Sequence, residues 1–461
     1  MQCNQLLSGN LPDLLPVKEL GMGSARIAYV VPVNLLDFPV FLRPFRFHTM
    51  SEQSIHVFEL PNGLTLLVEE MRHVQSASFT IMTPAGAIHE PQGRNGTAAA
   101  LCDLMTRGAG GLNGQEMSNA LDNLGVQRHE NVGWNFLSFS GATLAGNLLK
   151  ALPLYAEILQ RPRFPEDQFE AVMSGIEQSL LAEEDEPQRK VLTELRKYCY
   201  DQPWNRPTDG SLDELHEISL ASVQDYYQRT VRPNGALIGV AGNVRAGDVR
   251  DAVEAAFGDW KPLPERPIQR IPVSGQSHHL SHESAQTHLG LACPSVPYGH
   301  PDYYAAWAAV SILSGGTSSR LFTEVREKRG LCYSVYATLN SLLTEARILA
   351  YAGTAADRAQ ETLDVMLTEM RNLSSGIEES ELARCQARAK SSLIMQQEST
   401  GSRAGAMARD WFHLKKVNTL ADVRAAVDGL TVEQIVDYAC RYPLQDFTIL
   451  TIGEKELTLP A

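Results

Sequence analysis

The chain has 461 residues, 44% of them apolar and 20% charged, and its 40 basic and 54 acidic side chains give a net charge of −14. This composition buries large cores and excludes a disordered, fibrous or disulfide-stapled protein, and the length predicts two to four domains. The acidic balance argues against nucleic-acid binding, which needs a basic face, and is compatible with cationic peptides.

Seven scattered cysteines form no Cys-x-x-Cys pair, so free thiols in a reducing compartment are expected. The apolar stretch from Ile27 to Leu42 is broken by Pro32, Asp37 and Pro39 and is too short to span a bilayer. With no basic leader and no obvious cleavage site, the expected location is cytoplasmic.

Residues 1–49 mix Leu, Pro and Gly without a sustained period and read as a loose extension or a start-site artefact, the alternative being an arm that docks on a partner. From Ser51 the pattern predicts a strand, a Pro61-Asn62-Gly63 turn and a second strand. A strand ending at Phe79 to Pro84 and a helix from Thr97 to Thr106 follow. Next come a strand ending at Phe136 to Gly141, a helix from Ala145 to Leu159 and a long helix from about Glu166 to Glu184.

The same order returns about 205 to 215 residues later. A strand ends at Leu289 to Pro294, a helix spans Tyr303 to Leu313, and a strand ends at Ala350 to Gly353. Helices from Ala359 to Leu373 and from about Glu378 to Gln397 complete the second copy. Pro84 pairs with Pro294 in this scheme, and Gly141 with Gly353. Three prolines between Lys261 and Gln269 predict an extended, stiff connection. The expected fold is therefore α+β, a duplicated unit of a mostly antiparallel sheet with helices on one face. Its expected parts are the extension at 1–49, a first lobe at 50–260, a linker at 261–277 and a second lobe at 278–461. Two lobes joined this way predict an intervening space suited to an enclosed substrate.

The densest chemistry lies between Gly315 and Tyr333. Gly315-Gly316 closes one helix, Thr317 or Ser318 can cap the next, and Leu321, Phe322 and Val325 give it an apolar stripe. Gly330 ends that helix and Leu331 to Tyr336 reads as a strand. Arg326 then sits in a last helical turn with Tyr333 on the strand folding back beside it. A guanidinium and a phenol converging on one spot are good donors to a polarised peptide carbonyl. Spacing alone equally allows Arg326 on a solvated charged face and Tyr333 as half-buried core.

This segment closely resembles the C-terminal-half signature of the pitrilysin/insulinase-like zinc peptidases (inverzincins), which include the mitochondrial processing peptidases. The resemblance runs over about residues 55 to 459. It includes Pro61-Asn-Gly-Leu64 and the stretch from Tyr226 to Val244 around Arg232-Pro-Asn234. In that family an Arg and a Tyr seven residues apart bind the substrate carbonyl, which implies a substrate-binding role for Arg326 and Tyr333.

Active members carry His-x-x-Glu-His on the first helix of the N-terminal half, two zinc ligands and a general base, with a distant Glu as a further ligand. Aligned on Gly96 and Gly108, those positions here hold Ala99, Cys102 and Asp103, and the distant Glu falls on Ser179. Ala99 cannot bind a metal, and a thiol is a poor substitute for the carboxylate base. A replacement site from Cys102, Asp103 and Glu177 would need softer, differently spaced ligands and lacks a His. No catalytic or metal residue is therefore expected in this chain alone. The strand that pairs with substrate in active members corresponds to Val126 to Asn131, polar or charged after Val126, and no substrate role is carried onto it.

His278, His279 and His282 could suit a metal by spacing, but a strand there puts His279 on the opposite face, and solvated linker histidines are the plainer reading. The glycines from Gly108 to Gly114 lack the context of a phosphate loop. The resemblance implies a non-catalytic, substrate-binding subunit of a heteromeric zinc metallopeptidase acting on peptides. Its partner would be a homologous zinc-binding subunit carrying His-x-x-Glu-His, with zinc only in that partner. The alternatives are a peptidase-derived scaffold without proteolytic role and an autonomous metallopeptidase with an unrecognised metal site.

Overall fold

The computed structural model describes residues 53–275 and 277–459. The expectation for residues 1–49 lies outside them. The first half runs β1 (Ser54–Glu59), β2 (Thr65–Glu70), β3 (Ser76–Thr83), α1 (Thr97–Thr106), β4 (Gly108–Ala109), β5 (Leu112–Asn113) and α2 (Gly114–Asn123). It continues with β6 (Gln127–Val132), β7 (Leu137–Leu144), α3 (Ala145–Gln160), α4 (Glu166–Glu184), α5 (Pro187–Cys199), α6 (Leu220–Thr230), β8 (Leu237–Gly242) and α7 (Ala246–Phe257). The second half runs β9 (His278–Ser281), β10 (Gln286–Ser295), α8 (Tyr303–Ser314), β11 (Cys332–Ser341), β12 (Ala346–Ala355) and α9 (Ala359–Arg371). After it come α10 (Glu379–Gln397), α11 (Thr400–Leu414), α12 (Leu420–Asp428), α13 (Val432–Arg441) and β13 (Thr448–Gly453).

Two sheets organise the chain, ordered β1-β2-β8-β3-β7-β6 and β9-β13-β10-β12-β11. Leaving β1 aside, they match strand for strand. Each has one parallel pair, β2 with β8 and β9 with β13, and is otherwise antiparallel. This is the duplicated α+β unit that the sequence predicts. The predicted strand ends need correction, because β7, β10 and β12 run past Gly141, Pro294 and Gly353 to Leu144, Ser295 and Ala355 respectively. Pro294 is tolerated inside β10 because the pairing with β13 stops at Ala292, leaving one side of the strand unbonded there.

Side-chain alternation gives each sheet two buried faces. In the second, Leu291, Cys293, Ile348 and Ala350 face the half's own helices, while Ala292, Leu349, Tyr351 and Leu450 meet Val191, Leu195 and Cys199 of α5. In the first, Leu66, Val68 and Ile238 face their own helices, while Leu67 and Ala241 meet Ala404 and Met407 of α11. Each half thus lends a helix to the other's sheet. A Cβ on Gly239 would collide with the Ala404 carbonyl, so glycine there lets α11 lie directly on the first sheet.

The chain breaks that create these crossing helices are local: Pro187 starts α5 at a position where its missing N–H costs nothing, and the Ser399 hydroxyl accepts from the Ser402 N–H to cap α11. The exchange narrows the expected space between the halves. A cavity of about 670 Å³ remains, lined by Gln188 and Arg189 of α5 on one side and by His288, Tyr333 and Tyr336 on the other. Among the described residues no helix is long and apolar enough to cross a membrane.

Candidate functional site

The segment carrying Arg326 is a wide helical turn, Phe322–Glu327 with π-type hydrogen bonding, rather than the α-helix expected. It has no side-chain cap from Thr317 or Ser318. Its end is a left-handed glycine turn. Gly330, at φ +59°, donates to the Arg326 carbonyl, and the Leu331 N–H donates to the Val325 carbonyl. That reversal brings β11 back beside Arg326.

The Arg326 Nη1 donates to the Tyr333 carbonyl at 2.7 Å. Its guanidinium carbon lies 4.7 Å from the Phe322 ring centre and 4.9 Å from that of Tyr333. The cation is thus held between two aromatic faces. Pairing of β11 with β12 skips Tyr333, with Cys332 opposite Thr354 and Ser334 opposite Gly353. Such a bulge re-aims a side chain, and the Tyr333 ring is 83% exposed. The Arg326 guanidinium and the Tyr333 ring therefore sit together at the start of an edge strand, one N–H spent on holding the geometry and the others left as donors.

Below Tyr333, His288, Tyr351 and Tyr336 form a row across β10, β12 and β11. His288 Nδ1 and the Tyr351 hydroxyl lie 2.9 Å apart, and Gln188 of α5 donates to the Tyr336 hydroxyl at 3.0 Å. Sequence reasoning missed these residues, since cross-strand register and the arrival of α5 have no local signal.

The first-half positions are arranged differently. The α1 N-terminus has no side-chain cap on Gly96; instead the Glu90 Oε1 accepts from the Gly96 and Ala98 N–H groups at 3.0 and 2.7 Å. Complete burial outweighs those two donors and pushes the Glu90 carboxyl up to about 8. Ala99 has no donor atom. Cys102 is only 7% exposed, and burial, helped by Glu130 and Asp103, pushes its thiol up to about 12, so it is protonated at neutral pH. Asp103 is committed to a bidentate pair with Arg107, at 2.7 and 3.2 Å. Ser179 on α4 is exposed, as is Glu177.

A cation thus already stands beside the one carboxylate of the motif, and these residues do not fit zinc. Among the described residues no three His, Cys, Asp or Glu side chains cluster as a metal site would. The Arg107 pairing was legible as an i,i+4 contact.

His278 and His279 lie on β9 and are engaged within the protein rather than solvated in a linker, while His282 is exposed. The His278 ring stacks on Tyr198 at 3.6 Å, and His279 Nδ1 lies 2.8 Å from the Thr451 hydroxyl. β6 forms the far edge of the first sheet, bonded to β7.

The chain is a duplicated α+β fold with Arg326 and Tyr333 held together in its second half. The profile of Insulinase (Peptidase family M16) matches residues 65–210, and that of the Peptidase M16 inactive domain matches residues 217–389. The chain belongs to this pitrilysin/insulinase-like family.

It is similar to an uncharacterized zinc protease of Rickettsia felis, 23% identical over 88% of this chain and 99% of that protein. It is also similar to the uncharacterized zinc protease YmxG of Bacillus subtilis, 24% identical over 85% and 96%. Two solved structures share the fold at TM-score 0.80. One is a peptidase M16 inactive domain from Pseudomonas fluorescens, 22% identical over 88% of this chain and 99% of that one. The other is a protease from Helicobacter pylori, 20% identical over 87% and 100%.

Proposed function

We propose that this chain is the non-zinc-binding subunit of a two-chain metallopeptidase that acts on peptides. In this reading Arg326 and Tyr333 donate to the carbonyl of a peptide bond whose cleavage is carried out by a homologous partner bearing His-x-x-Glu-His. One observation carries the reading: the guanidinium and the phenol converge on an exposed bulge, while the metal-motif positions hold an alanine, a protonated thiol and an arginine-paired carboxylate. Because the Arg326 fork is fixed before any substrate arrives, its donors need no reorganisation as charge builds on the carbonyl oxygen. The exposed Tyr333 ring and the free edge of β11 give a peptide strand a place to add. The six unpaired cysteines among the described residues fit a reducing, cytoplasmic setting.

The test is the assembled pair. Arg326→Ala should lower peptide turnover about 10²-fold or more, as loss of one preorganised donor does elsewhere. Size-exclusion chromatography should show the same complex. Tyr333→Phe should do likewise through the hydroxyl alone. Unchanged turnover in both variants would refute the role.

A further inference from the structure

A second cavity, of about 280 Å³, lies on the first half beneath the connection between the sheets. Its lining includes Arg206, Arg229, Arg232 and Arg266 together with His89, and no Asp or Glu. In a chain of net charge −14 that concentration of cations runs against the bulk composition.

The partners these arginines have are few. Arg206 Nη1 donates to the Glu90 carbonyl at 2.6 Å, and Arg229 pairs with Asp225 at 2.7 Å, outside the lining. Arg266 makes no hydrogen bond or ion pair among the described residues. Arg232 is only 9% exposed. Its Nη1 donates to the Pro264 carbonyl at 3.2 Å and its Nη2 lies 4.0 Å from Glu265, but its Nε is buried with no acceptor. An unmet buried N–H on a cation costs free energy. His89, pushed down to about 4 by burial and then by Arg232, is neutral at pH 7 and adds a polar ring to the lining.

We infer that this cavity is an oxyanion site that takes a phosphate group, free or carried on a small organic molecule, between Arg206, Arg229, Arg232 and Arg266. Guanidinium forks match phosphate oxygens bidentately, so four of them lining one small cavity favour such a group. The wall formed by residues 266–271 belongs to the connecting segment. Asn234 already holds that segment to the first half by bonds to the Leu263 N–H at 3.0 Å and carbonyl at 2.9 Å. A bound phosphate would add Arg266 to that clasp. The site goes beyond the peptidase reading and stands whether or not that reading holds.

The experiment is calorimetric titration of the full chain with inorganic phosphate and, separately, with glucose 6-phosphate, against sodium chloride of equal ionic strength. Saturable binding at one site is expected for at least one of the two. Tighter binding of the sugar phosphate assigns the site to an organic phosphate, and the reverse order to the free ion. Arg266→Ala, on the exposed connection where folding is not at risk, should weaken binding about tenfold or more. Arg229→Gln should do the same. Phosphate should also slow hydrogen exchange in residues 264–271. The inference falls if neither phosphate gives saturable heat above the chloride control. It falls equally if both variants bind as the parent does.

Discussion

The two halves of the molecule share one strand order and differ in which residues reach solvent. In the first, α1 presents Ala99, the buried Cys102 and an Asp103 held by Arg107. In the second, the helical turn and bulge after α8 hold Arg326 against an exposed Tyr333. The shared part is set by alternating apolar residues and is mutual, since α5 completes the second sheet and α11 the first. The differing part rests on a handful of side chains on one helix and one bulge. Architecture and chemistry are therefore separable here: a lobe keeps its place in the fold by burying surface.

The mutual part can be broken most forcefully at the ion pair beneath α11. Arg403 Nε donates to Glu69 at 2.7 Å with both side chains about 95% buried, at 4% and 5% exposure. Arg403→Met should destabilise the chain by about 3–5 kcal/mol, because it strands a buried carboxylate. The double variant Glu69→Leu with Arg403→Met should regain most of that loss, as read by urea unfolding.

The exchanged helices give the next test. Leu195→Ala on α5 and Met407→Ala on α11 each open a fully buried site and should each cost about 2–5 kcal/mol. If the exchange is mutual, either substitution lowers the unfolding midpoint reported from both sheets. A loss confined to one half would show that the halves are held less evenly than their symmetry suggests.

A pH-dependent test sharpens what is particular to α1. With its carboxyl at about 8 in the folded chain and near 4.5 when unfolded, Glu90 keeps a proton on folding between those values. The folded state binds the extra proton, so this group's contribution to stability falls as pH rises through the window, by at most about 1.4 kcal/mol per pH unit. Glu90→Gln, which keeps an acceptor for the Gly96 and Ala98 N–H groups, should flatten the stability profile between pH 5 and 8 relative to the parent. An unaltered slope would mean that the carboxyl is ionised in the fold.

Much of this was readable in advance. The bounds of α4 follow from prolines and charged first turns, and the repeat offset follows from matching breaks, because these signals are local. The convergence of Arg326 with Tyr333 was also accessible, since seven residues and one glycine suffice to reverse the chain. What no local pattern carried is which sheet an amphipathic helix covers. The apolar stripe of α5 says that a face is buried, but the partner is fixed by an exchange with residues some 90 to 260 positions away. The bulge at Tyr333 and the row of His288, Tyr351 and Tyr336 depend on register, which the strands settle only when paired. The arginine cavity draws on four separate segments between residues 89 and 271, so sequence proximity hid it.

The most direct measurement of the central claim compares three samples on one peptide substrate: this chain alone, a homologous chain bearing His-x-x-Glu-His alone, and the two in equal amounts, with zinc determined in each purified chain. The account predicts cleavage in the mixture well above the sum of the separate rates, and stoichiometric zinc in the partner but not in this chain. Cleavage by this chain alone with one zinc per molecule would contradict it.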